Sequence, residues 1–335
     1  MQRLPQQTAY EEENNMRFVL VASSIALLSC SLPAAAQDYP SRPIKVVVPV
    51  AAGGSPDVLA RLIGERIRPR LGQPFVVDNR AGAGQMIGSD LVAKAAPDGY
   101  TIMLPTATFT GSAAIQPKLP FDPVNDLTGV AMVGVGPFLV IVHPSVPVKN
   151  IKELIALAKS RPGQVNYGSA GAGSVIHFAA EVFAAETGIE IVHVPYRSGA
   201  PAVAAAVAGE VPMVFMSLPS AWAQVKANRL RAIAVTSPQR SKFVPDLPTV
   251  AEAGVPGFQA QQWWGVLAPA KVPAAIIDKL NAEINAILGT EDMRAQLANQ
   301  GAEPVLMSPQ QFSGFVRSEI ERFRKLVRER NIKAG

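Results

Sequence analysis

The feature that most constrains the fold is an alternation of strand-like and helix-like runs along most of the chain. Short β-branched runs alternate with helically spaced runs over residues 44–104, and the same order returns over residues 151–236. This alternation is typical of βαβ units, in which neighbouring strands pair in parallel and helices cover the sheet. The sequence therefore predicts an α/β protein with two mainly parallel sheets flanked by helices, and the second unit begins near residue 145.

Two strand-like runs mark the expected connections between these units. Residues 138–143 and 263–267 each stand at a junction, so we expect both to cross from one lobe to the other. Helical segments follow the second crossing and are expected to return to the first lobe. They span residues 274–288, 292–299 and 309–330. The predicted domain I is therefore discontinuous, with residues 37–141 and 264–335, and domain II spans residues 142–263.

Two glycine-rich turns stand at strand-to-helix junctions, one in each unit. They are residues 51–57, Ala-Ala-Gly-Gly-Ser-Pro-Asp, and residues 168–174, Gly-Ser-Ala-Gly-Ala-Gly-Ser. The first turn of a helix exposes backbone N–H groups, and the helix dipole favours an anion there. Because the turns are far apart in the chain, the sequence predicts two lobes that close on one negatively charged ligand.

Individual residues of these turns have predictable roles. Ser55 is expected to be the N-cap of the first helix, and Asp57 to organise the loop, because it has no obvious carboxylate partner for acid catalysis. Ser174 is expected at the N-cap or the first position of the second helix. His177 lies one turn into that helix, where it either faces the ligand or packs within the protein.

A third glycine cluster, residues 79–88, follows the second strand-like run and has an alternative interpretation. Its Gly82-Ala83-Gly84 turn continues to Gly88 with the spacing Gly-x-Gly-x-x-x-Gly. The dinucleotide-binding fingerprint has the spacing Gly-x-Gly-x-x-Gly and follows the first strand of its fold. We therefore predict a structural turn, and an NAD(P)-linked oxidoreductase that uses this turn is the alternative function.

Residues typical of catalysis or metal binding are scarce. The three histidines, His143, His177 and His193, form no His-Glu-x-x-His motif, and the chain has no Gly-x-Ser-x-Gly elbow. A serine esterase using Ser169 or Ser174 with His177 is a third hypothesis, although Ser174 and His177 lie on adjacent turns of one helix. The sequence predicts a binding protein that is not an enzyme and uses no metal or cofactor.

The N-terminal region predicts export to the periplasm. Met16-Arg17, an apolar run over residues 18–28 and Ala34-Ala35-Ala36 are typical of a secretory signal peptide over residues 16–36. The start codon is then Met1 or Met16. In the rival interpretation, a lipobox ends at Cys30 and the cysteine is acylated.

Cleavage after Ala36 would leave a chain without cysteine and with a net charge of +6. Disulfides and thiolate chemistry are therefore not expected in the mature chain. The basic residues are scattered rather than arranged in a stripe, which argues against a nucleic-acid partner. No apolar run after the leader reaches membrane-spanning length. We expect a soluble monomer whose modest positive charge suits anionic ligands.

Aromatic and thioether side chains stand near several of the expected pocket loops. They are Phe109, Tyr196, Met213, Met216 and the pair Trp263-Trp264. Most such residues pack in a core. If two of them line the cleft, the ligand has an apolar or planar body in addition to a carboxylate.

Six separate segments occur in the order found in one known family. They are residues 52–57, 79–84, 96–101 (Ala-Pro-Asp-Gly-Tyr-Thr), 167–174, 193–196 (His-Val-Pro-Tyr) and 247–254 (Leu-Pro-Thr-Val-Ala-Glu-Ala-Gly). Together they resemble the Bug/TctC solute-binding proteins of tripartite tricarboxylate transporters, from about residue 39 to the C-terminus. The resemblance implies a periplasmic-binding-protein type II fold, also called a Venus flytrap, with two crossings between the lobes.

The resemblance also implies a function and a set of ligand-binding residues. A receptor of this kind holds a small carboxylate between its lobes through backbone amides and passes it to the membrane subunits of the transporter. Carried over by position, one wall of the site contains Gly53, Gly54, Asp57, Thr106, Ala107 and Thr108. The opposite wall contains Ser169, Ala170, Gly171, Gly173, Ser174, His177, Tyr196 and Met216.

One segment departs from the family pattern. Glu210-Val211-Pro212-Met213 stands where the family often has Gly-x-Val-Asp, and Met216 replaces a small or polar residue. Without the aspartate, recognition of a ligand amino group is not expected. Together with Phe109 and Trp263, this departure favours an aromatic carboxylate such as a phthalate isomer, ahead of an aliphatic di- or tricarboxylate.

Overall fold

The computed structural model describes residues 39–333, which contain nine strands and ten helices. The predicted signal peptide, residues 16–36, and Cys30 lie outside the described residues. The strands are β1 (Ile44–Val48), β2 (Phe75–Asn79), β3 (Thr101–Met103), β4 (Leu127–Val142), β5 (Val165–Ser169), β6 (Ile191–Pro195), β7 (Met213–Ser217), β8 (Arg231–Val235) and β9 (Gln261–Pro269). The helices are α1 (Ser55–Leu71), α2 (Met86–Ala93), α3 (Thr108–Ile115), α4 (Ile151–Ser160), α5 (Val175–Thr187), α6 (Gly199–Ala208), α7 (Leu218–Lys226), α8 (Ala274–Leu288), α9 (Glu291–Asn299) and α10 (Pro309–Glu329).

The long strand β4 belongs to both lobes of the α/β fold. Its first part, Leu127 to Pro137, pairs antiparallel with β9 in the first sheet. Its last part, Phe138 to Val142, pairs antiparallel with β7 and β8 in the second sheet. The chain therefore passes from one lobe to the other within a single strand, at the position predicted for the first crossing.

The outer strands of each sheet are parallel. In the first lobe β1 lies between β2 and β3, and in the second lobe β5 lies between β6 and β7. Helices connect these strands, which is the arrangement that βαβ units require. Both sheets are mixed overall, because every pair that involves β4 or β9 is antiparallel.

The C-terminal helices cover the first sheet. Helix α8 packs on α1 and β4, while α10 packs on α3 and β4 and also contacts α5 of the second lobe. Glycines in β4 allow close approach of the 301–303 segment: a Cβ on Gly136 would lie 2.5 Å from the carbonyl oxygen of Gly301. The predicted limits of the two domains stay a proposal.

The structure contains two elements that the sequence did not predict. Helix α3, Thr-Phe-Thr-Gly-Ser-Ala-Ala-Ile, is rich in residues of low helix propensity, and tertiary packing buries six of its eight residues. The first part of β4 contains Gly129, Gly134 and Gly136, residues that normally weaken strands. The predicted bounds of α8 are the observed ones, and those of α9 and α10 each differ from the observed bounds by one residue at one end.

Candidate functional site

A pocket of about 350 Å³ is lined by residues from both lobes. From the first lobe and the crossing strand β4 come Ser55, Thr108, Phe138, Gln262, Trp264 and Gln300. From the second lobe come Ala170, Ser174, Val175, Ile176, Gly199, Met216, Ser217, Pro219 and Ser220. Other cavities, of about 230, 460 and 500 Å³, are each lined from one lobe alone. The first pocket is therefore the candidate site for a ligand held between the lobes.

Five helices begin at this pocket. Ser55, Thr108 and Gly199 are the first residues of α1, α3 and α6, and each lines the pocket. The N-cap and first two residues of α5 line it as well, as do the N-cap and first turn of α7. The first-turn amides of a helix have no partner within the helix, and its dipole places partial positive charge there. The pocket is therefore built to accept negative charge.

The described side chains that line the pocket carry no charge. None of the described residues that line the pocket is Asp, Glu, Lys, Arg or His. Phe138, Met216 and Trp264 are almost fully buried and give the pocket an apolar surface. Phe109 and Trp263, which also favoured an aromatic ligand in the sequence, are fully buried and do not line the pocket, so that part of the expectation is wrong. The Oε1 atom of Gln262 is buried and has no hydrogen-bond partner among the described residues. An anion in this pocket would be held by amides and hydroxyls rather than by a cationic side chain.

The first glycine-rich turn is held in place by Asp57. Its carboxylate accepts hydrogen bonds from the Gly53 amide at 2.9 Å, from Arg61 at 3.0 and 3.2 Å, and from Asn79 at 3.1 Å. Burial alone would raise the pKa of Asp57, but the hydrogen bonds from Arg61, Gly53 and Asn79 outweigh it and lower the pKa. Asp57 therefore organises the loop, the role expected from its position.

Ser55 is not the N-cap of α1, so that prediction is wrong. Gly54 is the N-cap, and Ser55 is the first helical residue. The Ser55 hydroxyl instead accepts a hydrogen bond from the indole Nε1–H of Trp264 at 3.0 Å. This bond joins the start of α1 to β9 directly at the pocket. Among the described strands, β9 pairs only within the first sheet, with β3 and the first part of β4, so the strand predicted at 263–267 is not itself shared between the two sheets.

Ser174 is the N-cap of α5, one of the two positions predicted for it. Its Oγ accepts a hydrogen bond from the His177 amide at 3.3 Å and donates to the carbonyl oxygen of Gly171 at 2.7 Å. Gly171 and Gly173 have φ values of +106° and +79°, a region that favours glycine. The turn thereby directs the first amides of α5 toward the pocket.

His177 lies behind this turn within the protein. It is buried, and its Nδ1 accepts a hydrogen bond from the Gly173 amide at 3.2 Å. Its ring stacks on that of His193 with 3.9 Å between the ring centroids. The Oγ of Ser169 lies 2.5 Å from Nε2 of His193, so the serine–histidine contact at this turn involves His193 rather than His177. Ser169 is fully buried, which removes it from contact with an esterase substrate.

The pKa of His177 gives a pH prediction. Burial, and secondarily the nearby His193, lowers this pKa to about 3. The imidazole of His177 therefore binds a proton more tightly in the unfolded chain than in the folded chain. Its contribution to the free energy of unfolding is fully present above the ordinary histidine pKa and is lost as the pH falls below that value. Between pH 7 and pH 5 we expect a loss of about 2 kcal/mol from this group.

Urea unfolding of the wild type and of the His177→Gln variant at both pH values checks this expectation. Glutamine can still accept a hydrogen bond from the Gly173 amide but does not titrate. The variant should therefore lose less stability on acidification than the wild type. Equal losses in the two proteins would contradict the assignment to His177.

The third glycine cluster packs against α3. Gly84 has a φ of +60°, and a Cβ on it would lie 2.2 Å from the Oγ of Ser112. Close approach of α3 therefore explains this glycine, in agreement with the predicted structural turn. The alternative of a dinucleotide at Gly82-Ala83-Gly84 gains no support from these contacts.

Four of the predicted ligand-binding residues line the pocket: Thr108, Ala170, Ser174 and Met216. The others lie outside its lining, several of them directly behind it. They are Gly53, Gly54, Asp57, Thr106, Ala107, Ser169, Gly171, Gly173, His177 and Tyr196. For all fourteen, contact with a ligand remains a prediction.

Sequence reasoning missed part of the lining in the second lobe. Gly199 follows β6, Ser217 ends β7 and Ser220 follows it. The rule that helix starts after parallel strands meet at one sheet edge would have found all three. Gln262 and Gln300 carry no comparable sequence signal. Their place in the pocket depends on how β9 and the end of α9 pack in the fold.

Within residues 39–333, no group of three or more His, Cys, Asp or Glu is arranged to hold a metal ion. In the same part of the chain, no helix combines the length and apolar character needed to cross a membrane.

The chain is similar to known proteins over most of its length. The family described as tripartite tricarboxylate transporter family receptor, TctC, matches residues 59–332. Protein BugT of Bordetella pertussis is 39% identical over 311 residues, which cover 92% of this chain and 95% of BugT. Two solved structures match over 100% of their own chains. Rhodopseudomonas palustris Rpa4515 with adipate is 36% identical, covers 89% of this chain and has a TM-score of 0.77. MatC from the same organism, with bound malate, is 33% identical, covers 86% of this chain and has a TM-score of 0.72.

Proposed function

Because this chain belongs to the TctC family of tripartite tricarboxylate transporter receptors, we propose that it captures a small carboxylate in the pocket between its lobes. The ligand would then be delivered to the membrane subunits of such a transporter. The observation that carries this proposal is the convergence of five helix N-termini on a pocket whose described lining has no charged side chain.

The chemistry of the lining supports an anionic ligand. The amides of Ile176 on α5 and Ser220 on α7, together with the hydroxyls of Thr108 and Ser220, offer hydrogen-bond donors to carboxylate oxygens. Two relatives are described with adipate and with bound malate, both small carboxylates. A pocket lined from both lobes also suits a receptor in which ligand favours a closed form.

The ligand class we propose is an aromatic carboxylate such as a phthalate isomer, with an aliphatic di- or tricarboxylate as the other candidate. Phe138, Met216 and Trp264 offer an apolar surface of the kind that packs against a planar body. The unpartnered oxygen of Gln262 supports a ligand that also carries a hydrogen-bond donor. Paired ligands that differ by one hydroxyl, such as benzoate and hydroxybenzoate, therefore belong in a binding screen.

Export to the periplasm belongs to the same proposal. The family is one of receptors that work outside the cytoplasm, and the predicted signal peptide over residues 16–36 provides the route. The proposed molecule is a monomer without cofactor or nucleic-acid partner, and it is not an enzyme. Sequencing the N-terminus of the protein isolated from periplasm would distinguish cleavage after Ala36 from acylation at Cys30.

A thermal-shift screen tests the proposed function. A ligand at a hundred times its Kd stabilises the folded state by about 2.7 kcal/mol, which raises Tm by several degrees. We expect such a rise with at least one aromatic carboxylate, phthalate isomers or hydroxybenzoates, or with adipate. Stabilisation by NAD(P) alone would contradict the receptor and favour the oxidoreductase.

A pair of tryptophan variants on α7 links that binding to the pocket. Ser220 is exposed and lines the pocket, whereas Ala223 is exposed on the same helix but does not line it. Ser220→Trp should fill the pocket and abolish the ligand-induced rise in Tm, while Ala223→Trp should preserve it. Equal responses of the two variants would place the ligand elsewhere.

A further inference from the structure

Gln85 is a buried residue in the third glycine cluster and does not line the pocket. It ends a short 3-10 turn (Ala83–Gln85), and the turn's three residues and the preceding Gly82 all have positive φ values. The φ of Gln85 is +79°, a conformation that side chains with a Cβ rarely adopt. Its side chain must therefore make contacts that compensate for this backbone conformation.

Both polar atoms of the Gln85 side chain bind Thr106. Its Nε2 donates to the Oγ1 of Thr106 at 2.5 Å, and its Oε1 accepts from the Thr106 amide at 3.1 Å. Gln85 is 5% exposed and Thr106 equally so. Two hydrogen bonds shielded from water fix the position of Thr106 relative to the glycine cluster.

Thr106 in turn positions the start of α3 and its contact with the second lobe. Its Oγ1 accepts a hydrogen bond from the Thr108 amide at 3.4 Å. The Oγ1 of Thr108 accepts one from the Val175 amide, at the first residue of α5, also at 3.4 Å. A continuous series of hydrogen bonds thus runs from Gln85 in the first lobe to the pocket-lining start of α5 in the second.

We propose that Gln85 is a positioning residue for the ligand pocket, acting through Thr106 and Thr108 on the Val175 amide of the opposite lobe. The side chain itself does not touch the pocket. Its role is to set the contact that brings the starts of α3 and α5 together. The inference concerns the same pocket as the proposed function, but its test needs no ligand.

Amide hydrogen–deuterium exchange of the full-length chain tests this series of bonds. Gln85→Gly permits the same φ and removes the side-chain amide. We expect exchange of the 171–178 segment to become about fivefold faster, the size expected for the loss of one net hydrogen bond. Thr108→Val removes the acceptor directly and should produce the same increase.

The double variant distinguishes positioning from a local structural role. If Gln85 acts through Thr108, Gln85→Gly adds nothing to the exchange rate of 171–178 in a Thr108→Val background. Ala83→Gly is the matched control, because Ala83 also has positive φ (+47°) in the same turn and is exposed. It should leave the 171–178 segment unchanged.

Two results would overturn the proposal. One is an unchanged exchange rate at 171–178 in Gln85→Gly, with faster exchange confined to its own loop. The other is an additive increase in the double variant. Gln85→Gly could also raise the exchange rate everywhere, including β8. In that case Thr106→Val is the second variant, because it breaks the same series of hydrogen bonds without altering the glycine cluster. An unchanged exchange rate of the 171–178 segment in Thr106→Val would equally overturn the proposal.

Discussion

Replacing Glu181 by alanine is expected to lower the free energy of unfolding by about 3 kcal/mol. Glu181 lies on α5, where its Oε1 accepts a hydrogen bond from the Tyr167 hydroxyl at 2.7 Å and its Oε2 accepts one from Arg330 at 2.7 Å. Tyr167 is fully buried, and burial together with the Glu181 carboxylate raises its pKa. The alanine variant would leave a buried hydroxyl and a partly buried guanidinium without their partner, which is the costly case.

Urea unfolding at pH 7 measures this loss, and Lys325→Ala is its control. Lys325 forms an ion pair with Glu329 on α10, close in sequence to Arg330, but both side chains are more than half exposed. Exposed pairs of this kind contribute at most about 1 kcal/mol. A loss for Glu181→Ala no larger than for Lys325→Ala would show that the Glu181 contacts do not hold α5 to the C-terminal helix.

Replacing Gly111 by alanine is expected to destabilise the fold by about 2 kcal/mol and to separate α3 from the turn before α5. A Cβ on Gly111 would lie 2.6 Å from the carbonyl oxygen of Gly173 and 2.8 Å from Cδ2 of Phe178. Neither neighbour can move easily, because Gly173 is part of the α5 turn and Phe178 stacks on Phe323 with 4.5 Å between centroids. The substitution therefore acts on the contact between the lobes.

Gly314→Ala is the matched control for this prediction. Gly314 is also a helical glycine, on α10, but a Cβ there would meet nothing within 4 Å. Because alanine has the higher helix propensity, this variant should be more stable by up to about 1 kcal/mol. Thermal unfolding of both variants checks the pair, and destabilisation by Gly314→Ala together with tolerance of Gly111→Ala would contradict the contacts described here.

The alternation of β-branched and helical runs was sufficient to predict the α/β fold and most of its elements. Residues 274–288 were predicted as a helix from their spacing and charged face, and α8 has these bounds. By contrast, Thr108–Ile115 has little helical tendency of its own and is helical where α10 and the α5 turn pack against it. Local periodicity reports local preference, so an element that tertiary contacts impose leaves no such signal.

The sequence predicts only part of the candidate site, because local patterns do not show which distant residues become neighbours. Glycine-rich turns identified the starts of α1 and α5, because positive φ and N-cap chemistry are visible in sequence. The sequence predicts that Ser55 caps its own helix, but Trp264, which lies far away in the chain, binds the Ser55 hydroxyl in the fold. Gln85 gave no signal, since its partner Thr106 becomes a neighbour only when α2 and α3 pack together.

The most direct test of the proposed receptor is a map of which backbone amides respond to a carboxylate. Titration of the isotope-labelled protein with adipate and with phthalate isomers, followed by amide resonances, would give that map. We expect the largest shifts at Ile176 on α5 and at Ser220 on α7, which line the pocket near their helix starts. Shifts confined to other regions, such as the Gly82–Gln85 turn, or no shift with any small carboxylate, would contradict a carboxylate site at the five helix starts.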